Sequence, residues 1–186
     1  SLLNSMLKNF SIYLIGLLPL ALIAGPFIAE LFLFIIFLIA LFFFLKIKEQ
    51  PIKLFSNNLV NLFLLFWIYI VCLSFFALEP LISLKSSFFY IRFCLYALAI
   101  IYLLSLNNNH INILYTIIKF TILFVILDSI VQIILGKDIF GFEPNSINLM
   151  RISGPFGDKF VLGSFLQKIL PVFIFFILKK NNQKIK

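Results

Sequence analysis

A chain of 186 residues that is 63% hydrophobic and only 12% charged, with mean hydropathy +1.15, cannot hide its Phe, Leu and Ile side chains in a water-soluble core. Lipid must solvate most of that surface. The formal charge of +8 comes from lysines scattered between apolar runs, a pattern without the recognition spacing of a nucleic-acid interface.

The length suits one helical domain over 1–186 rather than two. The expected fold is all-α, a polytopic transmembrane helical bundle of about six spans. Span one covers about 10–24 and ends at Gly25-Pro26. Glu30 is expected as a polar turn before span two, about 31–45. Read as one helix, the stretch from Phe10 to Leu45 would be ~54 Å long, too long for one crossing. Two short or tilted spans in a tight hairpin are expected instead, with a five-span topology as the alternative. A basic loop follows, holding Lys46, Lys48 and Lys53.

Span three covers about 59–78 and is expected to end at Glu79-Pro80, because proline lacks the donor that would continue a helix. A short amphipathic piece leads into span four, about 88–106. The polar turn Asn107-Asn108-Asn109-His110 separates it from span five, about 111–135. The outer loop 136–159, GKDIFGFEPNSINLMRISGPFGDK, holds four of the seven glycines and two of the seven prolines, which marks it as the one long non-helical segment. Span six covers about 160–178, and a lysine-rich tail closes the chain. A first residue that is Ser, and a stop just beyond a span, predict a fragment truncated at its C-terminus.

Lys and Arg concentrate in cytoplasmic loops of membrane proteins. With six spans and a cytoplasmic N-terminus, eight positive residues fall on inner segments and five on outer ones. This predicts both termini inside and the 136–159 loop outside. Cys72 and Cys94 lie within apolar runs and are expected as packed thiols. Two cysteines and one histidine give neither a disulfide framework nor a metal site.

Few polar residues fall inside the spans. Asp128 lies ~11 Å inside the outer end of span five by helix rise, and Gln132 is one turn further out on the same face. A carboxylate at that depth is costly without a cavity or partners. The pair therefore either forms an interhelical hydrogen bond or lines a wet outward cavity. Lys168, deep in span six, is a candidate ion-pair partner for Asp128. Lys85 and Arg92 are seven residues apart, ~10 Å along one helix face. They either snorkel to lipid phosphates or form a basic rim for an anionic lipid-linked substrate. Lys outnumbers Arg thirteen to two, which singles out Arg92 and Arg151. Arginine's planar fork grips phosphate oxygens two at a time.

Three segments together resemble the N-terminal half of the O-antigen ligase and polymerase superfamily. They are Asp128-Ser-Ile-Val-Gln132 with Gly136-Lys-Asp-Ile-Phe-Gly141, then Arg151-Ile-Ser-Gly-Pro-Phe-Gly-Asp158 running on to Leu162-Gly-Ser-Phe-Leu166, and Ser83-Leu-Lys-Ser-Ser with Tyr90-Ile-Arg92. The resemblance implies a glycosyltransferase of the GT-C type in the bacterial inner membrane, acting in lipopolysaccharide biosynthesis. Such an enzyme moves a glycan from undecaprenyl diphosphate to lipid A-core or to another glycan, without a metal or other cofactor. It implies that Arg151 holds the donor diphosphate, with Arg92 and Lys85 nearby as further donor contacts. Asp158-Lys159-Phe160 stands where the family often has an Asn, and no segment here matches the large outer loop that carries the family's proposed catalytic histidine. The alternative function is a transporter or flippase for a lipid or small solute, with Asp128 and Lys168 as its intramembrane charges.

Overall fold

Backbone amides in hydrocarbon must be satisfied within the chain, and helices do this locally. The computed structural model describes residues 2–46, 58–106, 110–143, 152–157, 159 and 161–184, and among these the regular structure is entirely helical. The helices are α1 (Leu2–Ala24), α2 (Pro26–Lys46), α3 (Asn58–Ser74), α4 (Pro80–Phe89), α5 (Ile91–Ser105), α6 (His110–Leu135) and α7 (Leu162–Lys184), with a 3-10 turn at Gly154–Phe156. Five stretches are long and apolar enough to cross a membrane: Asn4–Ala24, Pro26–Lys46, Pro80–Ser105, His110–Leu135 and Leu162–Lys180. Large apolar side chains such as Phe27, Leu62, Phe76 and Ile134 are exposed on the helices and their connections, as expected where the solvent is lipid. The chain is a multi-pass helical membrane protein.

Several boundaries differ from the sequence expectation, each for a local reason. Glu30 lies inside α2, not in a turn. One carboxylate does not stop a helix that is apolar on either side. The break between α1 and α2 is a single residue, Gly25, whose φ of 142° is open to glycine and strained for other residues. Helical hydrogen bonds close on both sides of it, from Gly25 N–H to the Ala21 carbonyl and from Ala29 N–H to the Gly25 carbonyl.

Helix α3 ends at Ser74, not at Leu78. Its 17 residues give about 26 Å of rise, short of the ~30 Å hydrocarbon core. Pro80 does not end this helix. It opens α4 from the first turn, where its missing N–H is no loss. The expected amphipathic piece and span four form one 26-residue apolar stretch, Pro80–Ser105, with a turn residue, Tyr90, between its two helices. At Tyr90 the bonds tighten to i→i+3, from Tyr90 N–H to the Ser87 carbonyl and from Phe93 N–H to the Tyr90 carbonyl.

By contacts the chain forms two compact units, Ser1–Phe32 with Asn107–Lys186, and Leu33–Leu106. In the first, α6 packs against α1, α7 and the 3-10 turn. Its buried residues, Ile111, Leu114, Ile118, Thr121, Ile122, Val125, Asp128 and Gln132, fall at helical spacing on one face. Gly16 lets α1 approach closely: a Cβ there would stand 2.7 Å from Ile117 Cδ1. Small residues serve this purpose where lipid-soluble helices meet. Tyr115 of α6 stacks on Phe173 of α7 at 5.5 Å.

The second unit joins α3 to α4 through polar groups. Trp67 Nε1 donates to the Ser87 carbonyl at 2.9 Å, and the hydroxyls of Ser74 and Ser87 bond to each other. Both hydroxyls also have helical carbonyls in reach, those of Ile70 and Ser83. Edge-to-face pairs Phe37–Tyr96 and Phe44–Tyr102 join α2 to α5. Cys94 is buried in this unit as expected, but Cys72 is exposed. In an apolar chain, position within a hydrophobic run does not separate the protein-facing side from the lipid-facing side.

Candidate functional site

The outer end of α6 is tied down by its two polar residues. Asp128 is fully buried and Gln132 nearly so, because both continue the face that carries Thr121 and Val125. Asp128 Oδ1 accepts the Ile139 N–H at 2.8 Å. This folds the turn after the helix back onto its own last two turns. Asp138 closes that turn: its Oδ1 accepts the Phe142 N–H at 2.6 Å, and its backbone N–H donates to the Phe142 carbonyl at 3.1 Å.

Gln132 holds the next piece of loop through both ends of its amide. Its Oε1 accepts Ser153 N–H at 3.0 Å and Gly154 N–H at 2.8 Å. Its Nε2 donates to Ser153 Oγ at 3.0 Å. The fit depends on Gly154, whose φ is +58° and whose missing Cβ would stand 2.8 Å from Ser129 Oγ. A side chain at this position would be both strained and obstructed.

Asp128 and Gln132 therefore face the interior, but as anchors of loop backbone. Their partners are the loop amides of Ile139, Ser153 and Gly154 and the Ser153 hydroxyl. The expected pairing of Asp128 with Lys168 is not formed. Among the described residues Asp128 Oδ2 has no hydrogen-bond partner, and Lys168 is exposed to a different hollow. Arg151 lies outside the described residues; its sequence neighbours Ile152 and Ser153 are described, and Ser153 is the residue held by Gln132.

Beyond Leu135, Lys137 and Glu143 form an exposed ion pair at 2.8 Å. The hydrogen bond and then the charge of Glu143 raise the Lys137 ammonium above its ordinary range. The same two effects, reversed, hold the Glu143 carboxyl below its own.

In the second unit, Lys85 and Arg92 lie on either side of Tyr90 and line one hollow of about 560 Å³ with Ser86, Phe89, Tyr90 and Phe93. The seven-residue spacing does place them together. The Arg92 guanidinium carbon lies 5.1 Å from the Phe93 ring centroid, a cation–π arrangement. Tyr90 and Phe93 meet edge to face at 5.3 Å. The hollow thus pairs cations with aromatic walls and suits an amphiphile carrying an anionic group.

A hollow of about 530 Å³ in the first unit was not legible as a site in the sequence. Lys159, Ser164 and Lys168 line it together with Leu22, Phe142 and Phe156. The only signal was Lys168, a lysine within a span. Among the described residues no group of three or more His, Cys, Asp or Glu side chains is arranged to hold a metal.

The fold and these sites define a class, a polytopic helical membrane protein with basic, aromatic-walled hollows. No protein-family model, curated protein or solved structure matches the chain.

Proposed function

We propose that the protein is an inner-membrane glycan ligase or polymerase that handles an undecaprenyl-diphosphate-linked glycan, with lipid A-core or another glycan as acceptor. The observation that carries this reading is the shared hollow of Lys85 and Arg92 in the Pro80–Ser105 stretch. Two cations at the mouth of an aromatic-walled groove neutralise a lipid-borne diphosphate. When the acceptor attacks the anomeric carbon, the same cations stabilise the departing diphosphate. Arg151 enters this reading on the sequence resemblance alone, as a residue that helps hold a donor diphosphate. The acceptor hydroxyl needs a general base, and no residue described here is assigned to that role. In this reading α3 makes the sixth crossing, and both termini lie in the cytoplasm.

The test is glycan transfer from an undecaprenyl-diphosphate donor in membranes, normalised to protein level. A charge-assisted contact is worth roughly 1.5–3 kcal/mol, or about ten- to a hundredfold in rate when felt in the transition state. Arg92→Ala and Arg151→Ala should each fall by that factor at normal expression. Arg→Lys should fall less, since it keeps the charge but loses the fork. Undiminished transfer by both alanine variants refutes the donor assignment.

A further inference from the structure

The hollow in the first unit lies where three membrane segments end or begin. Leu22 to Ala24 close α1, Pro26 opens α2, and Val161 to Lys168 carry the start of α7. Phe142, in the turn that follows α6, completes the wall. All four parts belong to one compact unit. The ends of apolar spans mark the depth at which hydrocarbon gives way to headgroups.

Two ammonium groups open onto this space. Lys168 stands about 9 Å along α7 from Leu162 by helix rise, inside a candidate span. An intramembrane lysine is expensive unless it meets water or an anion. Among the described residues, neither Lys159 nor Lys168 has a carboxylate within ion-pair distance. The start of α7 adds the positive end of a helix dipole on the same side. Apart from Ser164, whose hydroxyl donates to the Val161 carbonyl, the remaining side chains are apolar, with Leu22, Phe156 and Phe165 among them. Two cations above hydrocarbon-like walls, at headgroup depth, match an anionic phosphate that carries acyl chains.

We propose that this hollow is a binding site for the phosphate headgroup of an anionic bilayer phospholipid, held by Lys159 and Lys168 with its chains against the apolar wall. The site shares no residue with the Lys85–Arg92 hollow and stands whether or not the protein transfers glycans. Lipid bound here braces the ends of α1 and α7 beside the loop that Gln132 holds.

The experiment uses the full chain in detergent, with phosphatidylglycerol as the probe and retention read by native mass spectrometry. Phosphatidylcholine and inorganic phosphate serve as comparison probes. The wild type should retain phosphatidylglycerol well above phosphatidylcholine and should not retain inorganic phosphate. Lys168→Gln should lower retention roughly tenfold, the effect of losing one charge-assisted contact. Lys159→Gln/Lys168→Gln should abolish the preference over phosphatidylcholine. The lysine variants are compared in a Lys85→Gln/Arg92→Gln background, which removes the other basic hollow as a second place for an anionic lipid, so that the retention read belongs to Lys159 and Lys168. Circular dichroism and gel filtration confirm that each variant is folded. Three outcomes overturn the proposal: full retention by the folded double variant, equal retention of phosphatidylcholine, or equal binding of inorganic phosphate. The first returns both lysines to ordinary snorkelling, the second leaves only an apolar groove, and the third makes it a site for free anions.

Discussion

Replacing Gln132 by Leu should release the loop at Ser153 while leaving the helices in place. The substitution keeps roughly the same volume, so it opens no large cavity. It removes one acceptor shared by two backbone N–H groups and one donor to a hydroxyl. Side chain–side chain hydrogen bonds in membrane proteins average only ~0.6 kcal/mol, because the partners find alternatives. The amides of Ser153 and Gly154 have no such freedom, as both residues are buried. A buried donor left unpaired costs about 1–3 kcal/mol. Two of them, partly relieved by entering water, give about 2–4 kcal/mol. If that cost is expressed as local opening, amide exchange over 152–157 should accelerate by about thirty- to a thousandfold. Gln132→Glu should lie between the two, since it keeps the acceptor but places a carboxylate in the same buried space. The assay is hydrogen–deuterium exchange in nanodiscs, read on a peptide spanning 152–157. Unchanged exchange in Gln132→Leu would refute the reasoning, as would wild-type amides that already exchange at the rate of an open loop.

Gly154→Ala should destabilise the same loop by a second route, about 1–2 kcal/mol for the left-handed backbone plus the encounter with Ser129 Oγ. Adding Ser129→Ala should recover the second part only, and full recovery in thermal unfolding would show that the backbone is unstrained. The Lys137–Glu143 pair makes a pH prediction. The lowered Glu143 carboxyl contributes above the ordinary carboxylate range, and this is lost as pH falls through its lowered value. The raised Lys137 contributes below the ordinary lysine range, and this is lost as pH rises through its raised value. Lys137→Gln should return the Glu143 titration, followed by carbon-13 NMR, to the ordinary range; a curve that does not move would remove Lys137 as the cause. For topology, a cysteine at Asn145, with Cys72 and Cys94 replaced, should react with a membrane-impermeant maleimide in intact cells. Labelling only after permeabilisation would reverse the orientation.

The helices were largely legible because Gly, Pro and Asn interrupt otherwise continuous apolar runs. Helix α6 runs from His110 to Leu135, one residue from its expected start. What the sequence hid was which side of each helix faces protein. In α6 apolar residues fall on every side of the helix, so no amphipathic stripe announces the buried face. Asp128 and Gln132 supplied the clue, since two polar residues one turn apart must both turn inward. Their partners were not legible, because a backbone N–H looks the same in every residue. Lys85 and Arg92 were brought together by helix period alone. Lys159 and Lys168 were not, because one precedes α7 and the other lies within it. Only the fold brings them to one hollow with the end of α1.

The Gln132 amide carries no net charge, and neither do the groups it grips. Acidification, alkalinity or a change in ionic strength leaves each of those three bonds as it was, because nothing in them ionises and little in them is screened. The Lys137–Glu143 pair nearby, open to the medium, responds to all of these. One piece of the loop is thus moored by a fastening indifferent to weather, while the Lys137–Glu143 fastening loosens or tightens with the fluid that bathes it.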